Sequence, residues 1–290
     1  MVPGAGVSGR DLMRDNMIAS SRRVRDLSAW PQWLLVLVSL AIGLTAWQLL
    51  VTWFRVPVFV VPPPTLVLTA LREGLLANPT TPESFIYQLE YTLMEAGIGF
   101  AIGSAIGLAA GTAIAQSRLA EKVLFPYLVG IQSMPKLAIA PLLLIWFGFG
   151  AQSKIVLVAL IVFFPVMINA IAGFATVDRD RIDLLRVLAA SPWQRFTKVA
   201  FPSALPFIMA GLDVGIVESV VAAIIGEFVG GQRGLGVYLL QLNLQLDTAG
   251  VFAIILVLSA VGIAAHVLLT TVSKRVVFWT QPTKTTRRIS

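Results

Sequence analysis

The sequence of 290 residues contains no cysteine. The missing thiols exclude disulfide bonds, thiolate-bound metals and cysteine nucleophiles. Charge is scarce as well: 13% of the residues are charged and 57% are hydrophobic, whereas soluble domains contain about 25% charged residues. This balance excludes an ordinary soluble domain and predicts a protein embedded in a lipid bilayer.

The chain also lacks the P-loop pattern G-x-x-x-x-G-K-[ST], in which glycine N–H groups hold nucleotide phosphates. It therefore has no P-loop of its own for binding and hydrolysing ATP. We expect no catalytic residue, no metal site and no cofactor in this chain.

Six runs in the sequence are apolar and long enough to cross a hydrocarbon core, which takes about 20 helical residues. They cover residues 33–54, 89–115, 122–147, 153–175, 203–229 and 249–272, and prolines interrupt the third. The first run starts too late and is too long for a cleaved signal peptide, so we expect it to stay in the membrane. The predicted fold class is an all-α integral membrane protein with six transmembrane helices.

The Lys and Arg residues indicate the orientation. Of the 22 Lys and Arg residues, Lys136 lies within a span, and Arg55, Arg72, Lys154 and Arg233 fall on the side opposite the termini. All the others fall on the side of the two termini. Cytoplasmic loops retain cations, so both termini are predicted to be cytoplasmic, and the net charge of +7 indicates contact with anionic lipid and not with nucleic acid. The predicted organisation is a cytoplasmic segment 1–32, a first span 33–54, an extracytoplasmic connection 55–84, a membrane domain 85–274 with a cytoplasmic loop 178–202, and a cytoplasmic tail 275–290.

Loop 178–202 is predicted to form two short helices with a sharp bend. Aspartates from Asp178 onward favour a helix start, and the first helix should end near Ala190, because Ser191 precedes a proline. Ser191 is then a suitable N-cap, Pro192 suits the first helical position, and Gln194 completes a capping box. Such a pair suits docking into a groove of a soluble partner or resting on lipid, and the residues alone favour neither.

Residues 183–206, "DLLRVLAASPWQRFTKVAFPSALP", resemble the cytoplasmic loop of ATP-binding-cassette (ABC) importer permeases, E-A-A-x-x-x-G-A-S-x-x-x-x-F-x-x-V-x-x-P-x-A-x-P. Asp183 replaces the usual Glu, Leu184 and Leu185 replace the two alanines, and Ala189 replaces the glycine. The segments "VPPPTLVLTAL", "QSMPKLAIAPLLLIWFGFG" and "GEFVGGQRGLGVYL" are similar to those of the nitrate, taurine and aliphatic sulfonate branch. The resemblance extends over roughly residues 60 to 275.

The resemblance implies a type I importer fold in the bacterial inner membrane and an assembly with several partners. These are a second permease copy, giving a homodimer, two cytoplasmic ATPase subunits that use ATP and Mg²⁺, and an extracytoplasmic binding protein. It also implies contacts with the ATPase through Asp183, Leu185, Arg186, Leu188, Ala190, Ser191, Trp193, Arg195 and Phe196. Gly231, Arg233 and Gly234 are expected at the outer gate or at the contact with the binding protein.

Ionisable residues inside a span are costly, so each is a candidate for the translocation path. Lys136 and Glu218 are the first candidates, and Met134 and Glu227 complete the set. The equal alternative is that Lys136 forms a buried ion pair with a carboxylate and only fixes the packing of helices. Lys136 favours an anionic solute such as nitrate or a sulfonate, but Glu218, Glu227 and Glu95 would oppose an anion unless they are paired elsewhere.

Two other classes of protein are considered. A secondary transporter driven by an ion gradient would use Glu218 and His266 as a proton relay. An intramembrane serine protease would need Ser104 and His266 to meet, but the sequence around Ser104 is of a helix-packing type. For His266 we expect a hydrogen bond between two helices.

The second apolar run contains a regular glycine spacing. Gly99, Gly103, Gly107 and Gly111 recur every four residues and therefore lie along one helix face. Small residues at this spacing allow another helix to approach closely. We predict a helix–helix contact along this face.

Overall fold

The computed structural model describes residues 31–280, which are helical and contain no β-strand. The helices are α1 Gln32–Trp53, α2 Pro64–Leu76, α3 Phe85–Ala115, α4 Arg118–Gln132, α5 Ala140–Phe147, α6 Ala151–Ala175, α7 Arg179–Val187, α8 Pro192–Arg195, α9 Phe201–Gly230, α10 Leu235–Leu244 and α11 Thr248–Val276. The 3-10 segments Lys136–Ile139 and Phe278–Thr280 and the π segment Phe196–Ala200 complete the order. The predicted all-α fold is confirmed, and most of the predicted terminal segments 1–32 and 275–290 lies outside the described residues.

Five uninterrupted helical stretches in the described part of the chain are long and apolar enough to cross a membrane. They are α1, α3, α6, the continuous stretch from Pro192 to Gly230, and α11. The third predicted run is broken into Leu119–Gln132 and Lys136–Phe147, which meet at 76°. Pro135 lies in this break, where its missing N–H and its restriction of the preceding residue interrupt a helix. The spans number five, or six if the broken pair is one crossing.

The chain divides into two compact units, residues 1–66 and 67–290. In the first unit, α1 is apolar around its whole circumference, which is typical of a helix surrounded by lipid. The turn after α1 places Arg55 in the left-handed region, with φ 48°. The Gln48 side-chain oxygen accepts a 3.4 Å hydrogen bond from the Thr65 backbone N–H.

The core of the second unit is centred on α6. Val158, Val162 and Val166 of this helix are fully buried, and α3 and α9 cover them. A second cluster joins the start of α3 to α10 and α11 through Phe85, Leu235 and other apolar residues. The most buried helix of the second unit therefore lies between two other spans.

The glycine face of α3 lies directly against the backbone of α6. All four predicted glycines are buried, and a Cβ at Gly103 would lie 2.5 Å from the Ala159 carbonyl oxygen. A Cβ at Gly107 would lie 2.6 Å from the carbonyl oxygen of Phe163. The predicted helix–helix contact is confirmed, because only glycine permits this approach of the two backbones.

Alanine substitutions on the two faces of α3 should change stability in opposite directions. In Gly103→Ala the new methyl group would press on the α6 backbone, and such overpacking costs about 1–3 kcal/mol. In the matched control Gly97→Ala the methyl group meets nothing within 4 Å, so helix propensity should stabilise the protein by about 1 kcal/mol. Thermal unfolding of the purified protein in detergent measures both effects. Equal shifts in melting temperature would contradict the contact.

Candidate functional site

Loop 178–202 forms the two capped helices that the sequence predicts. The Asp178 side chain accepts a 3.0 Å hydrogen bond from the Asp180 N–H and caps α7. The capping box of α8 is also present: Ser191 Oγ accepts from the Gln194 N–H at 3.2 Å, and the Ser191 N–H donates to Gln194 Oε1 at 2.8 Å. Local hydrogen bonds therefore fix the start of each helix.

The first helix ends at Val187, earlier than the predicted Ala190. Ala189 has φ 57°, in the left-handed region, and its N–H donates to the Arg186 carbonyl at 2.9 Å. The Ala190 N–H donates to the Leu185 carbonyl at 2.9 Å. These two bonds form a Schellman motif, which ends the helix and reverses the chain before Pro192 is reached. Ala189 thus occupies the conformation that the glycine of the family pattern would favour.

The loop exposes an apolar patch, defined here as Leu184, Val187, Leu188 and Trp193. Their exposed fractions are 60%, 84%, 67% and 71%, respectively. Leu185, expected to be an anchor, is only partly exposed. The patch is bordered by an exposed ion pair in which Arg186 Nη1 donates to Asp183 Oδ1 at 2.7 Å. Of the residues that the resemblance implies at the contact, Leu188 and Trp193 belong to this patch, and Leu184 and Val187 are exposed beside them.

Phe196 joins the loop to the helix bundle. Its ring centroid lies 5.9 Å from that of Phe174 at the end of α6, and 5.9 Å from those of Trp193 and Phe201. Arg195 is partly buried, and its Nε has no hydrogen-bond partner within the described part of the chain. The aromatic cluster therefore fastens the loop to both α6 and α9.

Lys136 and Glu218 lie in the same region, at the break between α4 and α5. The Lys136 ammonium lies 4.8 Å from the ring centroid of Phe164 on α6, and its charge interacts with that of Glu218. No ion pair of 4.0 Å or less joins them in residues 31–280, and Glu218 Oε2 is buried without a hydrogen-bond partner. Met134, beside Lys136, is 61% exposed. The break therefore keeps Lys136 and Glu218 close but not directly bonded.

Glu227 lies elsewhere, in a buried polar network at the other end of the bundle. Its Oε1 accepts a 2.7 Å hydrogen bond from the Thr92 hydroxyl, and its Oε2 accepts one of 2.5 Å from the Gly236 N–H. Gln88 Oε1 accepts from the Gly234 N–H at 2.8 Å. These acceptors satisfy N–H groups at the start of α10, which the helix itself leaves unbonded.

Glycines allow the loop before α10 to wrap closely around Glu227. Gly234 has φ 118°, and a Cβ at this position would overlap the Glu227 carboxylate. A Cβ at Gly231 would lie 2.5 Å from the side chain of Val237. Arg233, exposed on the same loop, places its guanidinium 4.5 Å from the ring centroid of Tyr87. The three predicted outer residues thus lie on one loop, but only Arg233 is exposed for contact with another molecule.

Lys154 and Glu95 form a buried ion pair that sequence reasoning missed. Lys154 Nζ lies 2.9 Å from Glu95 Oε1, and both side chains are buried. Lys154 lies in the first turn of α6, at the end that the sequence places on the outer side, and its side chain is buried. The signal that could have revealed the site is the polar row Gln88, Thr92 and Glu95, which lies along one face of α3.

His266 forms the expected hydrogen bond between helices. Its Nδ1 lies 2.8 Å from Asp213 Oδ1, which joins α11 to α9. The partner is Asp213, and no hydrogen bond joins His266 to Glu218 within residues 31–280. The Ser104 hydroxyl has no hydrogen-bond partner among the described residues, so no Ser–His dyad exists there.

The spans, the broken helix and the fastened loop define a multi-pass helical membrane protein. A solved structure of the MetNI methionine ABC transporter has a chain similar in fold, with a TM-score of 0.56 and 19% identity over 66% of this chain and 95% of that one. Residues 103–278 match the binding-protein-dependent transport system inner membrane component family. The chain belongs to this family.

Two curated relatives are similar along most of their length. The riboflavin transport system permease protein RibX of Chloroflexus aurantiacus is 34% identical over 89% of this chain and 95% of its own. The taurine transport system permease protein TauC of Escherichia coli is 31% identical over 86% of this chain and 92% of its own. The protein is therefore a membrane-embedded ABC transporter permease subunit, and such a subunit is not itself an enzyme.

A double-mutant cycle tests the buried ion pair. Lys154→Met or Glu95→Leu alone should destabilise the protein by about 3–5 kcal/mol, because each leaves one charge buried without its partner. The double variant should recover most of this loss, since neither charge remains. Thermal unfolding in detergent measures the three variants, and additive losses would show that the two residues act independently.

Proposed function

We propose that this chain is the translocating subunit of an ATP-driven importer and that loop 178–202 contacts the ATPase. The observation that carries the proposal is the apolar patch, presented on helices whose ends are fixed by caps. Such a patch on a rigid, amphipathic element suits insertion into a groove of a soluble partner. The chain has no P-loop, so ATP and Mg²⁺ would be bound by the partner subunits.

The connection of the loop to the bundle supports a mechanical role. Phe196 contacts Phe174 on α6 and Phe201 on α9, so a displacement of the loop would be transmitted to both helices. Both helices line the core of the second unit. Arg181, Arg186, Arg195 and Lys198 on the loop support its cytoplasmic orientation. In this proposal, binding and hydrolysis of ATP move the loop, and the bundle alternates between two accessible states.

The proposed solute is a small anion that passes near Lys136. RibX and TauC are named for riboflavin and taurine, so membership of the family leaves the solute open. Glu95 is paired with Lys154, and Glu227 accepts hydrogen bonds from the Thr92 hydroxyl and the Gly236 N–H. Of the three carboxylates that would oppose an anion, this leaves only Glu218, which lies near the break. Its buried, unbonded oxygen marks the same region as polar.

The remaining partners are proposed from membership of the family. The exposed Arg233 loop would meet the extracytoplasmic binding protein that delivers the solute. A second copy of the chain would complete the translocation path as a homodimer. The assembly would lie in the bacterial inner membrane.

Leu188→Asp tests the contact with the ATPase. Because Leu188 is exposed, its replacement should leave the melting temperature unchanged, whereas a carboxylate in an apolar groove should weaken association tenfold or more, about 1.4 kcal/mol per tenfold. Copurification with the co-expressed ATPase measures this association. Leu244→Asp is the matched control, because Leu244 is also exposed, at 78% against 67% for Leu188, but ends α10 at the far end of the bundle. Normal copurification of Leu188→Asp would refute the contact.

Lys136→Ala tests the proposed path. Uptake into proteoliposomes, with the binding protein and ATPase present, should fall at least about tenfold, since an anion would lose the cation proposed to attract it. Lys136→Arg should retain most uptake, and Lys122→Ala, at an exposed cation on α4, should retain all of it. Undiminished uptake by Lys136→Ala would remove Lys136 from the path, while copurification of the ATPase would still test the loop separately.

A further inference from the structure

A cavity of ≈510 Å³ lies where loop 178–202 meets the helix bundle, away from the apolar patch. Arg181 of α7 and Lys198 of the π segment line it, together with Ser203 at the start of α9 and Trp279 after α11. The cavity is open on one side and is bordered by the loop and by the ends of several spans. It is separate from the region of Lys136 and Glu218.

The lining of this cavity is cationic. No carboxylate lines it. Arg181 Nε contacts the Asp178 carboxylate at 3.4 Å, and both side chains of this ion pair are exposed. Within residues 31–280, no ion pair or hydrogen bond engages the Lys198 ammonium or the Ser203 hydroxyl. Lys198 and Ser203 therefore offer unengaged donors to this space, beside Arg181, whose guanidinium also contacts Asp178. An anion with several acceptor oxygens, such as a phosphate, matches these donors.

The position of the cavity suggests the source of the phosphate. The rest of the lining includes Pro202, Pro206 and Val199, at the point where α9 leaves the loop and becomes apolar. Trp279 at its edge is of the type enriched at the headgroup level of membranes. A ligand at this level would place a charged head beside the cations and an apolar tail beside the spans. Basic pockets between spans bind anionic headgroups in this way.

We propose that this cavity binds the phosphate group of an anionic phospholipid, with Lys198 and Arg181 as its charged ligands and Ser203 as a hydrogen-bond donor. A free phosphate anion has the same chemistry, and the experiment below separates the two sources. The proposal does not rest on the proposed transport function, because it concerns a site within one chain. It does give the loop a third attachment to the membrane domain, in addition to the covalent chain and Phe196.

Another role for the two cations has to be distinguished. The carbonyl ends of α6 and α11 lie at this edge of the bundle, and Lys or Arg near a helix C-terminus can compensate them without any ligand. In that case, removal of a cation would lower stability but would not change lipid selectivity. Lipid binding is therefore the deciding measurement.

Native mass spectrometry of the purified full-length chain provides the test. The protein in detergent is titrated with phosphatidylglycerol, which is anionic, and with phosphatidylethanolamine, which is zwitterionic. The unmodified protein should retain phosphatidylglycerol at least about fivefold more tightly, and Lys198→Gln should lose about fivefold of this affinity. Lys122→Gln, an identical change at an exposed lysine outside the cavity, should bind as the unmodified protein does. Lys198→Arg should also retain binding, and it is the variant to measure if Lys198→Gln does not fold.

Competition with inorganic phosphate identifies the source. If millimolar phosphate leaves the bound phosphatidylglycerol in place, the ligand is the lipid. If phosphate displaces it from the unmodified protein but has no effect on Lys198→Gln, the cavity is a site for free phosphate. Equal binding of the two lipids by the unmodified protein, or equal phosphatidylglycerol binding by Lys198→Gln and Lys122→Gln, overturns the proposal.

Discussion

The second unit depends on the close approach of two neighbouring helices to the backbone of α6. In lipid there is little hydrophobic gain from bringing helices together, so close backbone packing has to supply the contact. Gly103 and its neighbours allow α3 to approach one side of α6. On another side, Gly211 of α9 would place a Cβ 3.0 Å from the Pro165 carbonyl oxygen, and Gly173 of α6 would place one 2.8 Å from that of Ala204. Small residues thus fix α6 between two spans, and the functional segments are attached to this frame.

The two ends of this frame are closed by different chemistry. At one end Lys154 and Glu95 join α6 to α3, and Glu227 holds the start of α10 against them. These polar groups are buried and costly, so each is matched by a partner with defined geometry. At the other end, aromatic contacts around Phe196 join α6 and α9 to the exposed loop. The polar end therefore fixes one loop, and the aromatic end connects the other loop to α6 and α9.

Local sequence signals predicted a large part of this arrangement. The capping box at Ser191 depends on a few adjacent residues and was predicted correctly. Prolines were expected to interrupt the third run, but only Pro135 lies at the break, whereas Pro126 lies inside α4. The glycine face of α3 was also predicted, because its spacing is visible in one helix. The partner of Lys154 was missed, since it is set by which face of α3 meets α6. The same limitation explains why Leu185 was expected as an anchor but is only partly exposed: the exposure of each side chain depends on how α7 lies on the bundle.

The bend after α7 shows why a departure from a family pattern need not alter the geometry. A left-handed residue with a Cβ costs about 1–2 kcal/mol more than glycine, yet Ala189 adopts this conformation. Two Schellman hydrogen bonds and the Ser191 cap on either side hold it there, and Leu246 at the end of α10 adopts the same conformation with equivalent bonds. The replacement of alanine by Leu184 has the opposite effect: it leaves the backbone unchanged but enlarges the apolar patch. Under the proposed function, specificity for the ATPase would therefore depend on the side chains of the patch, while the bend determines only their placement.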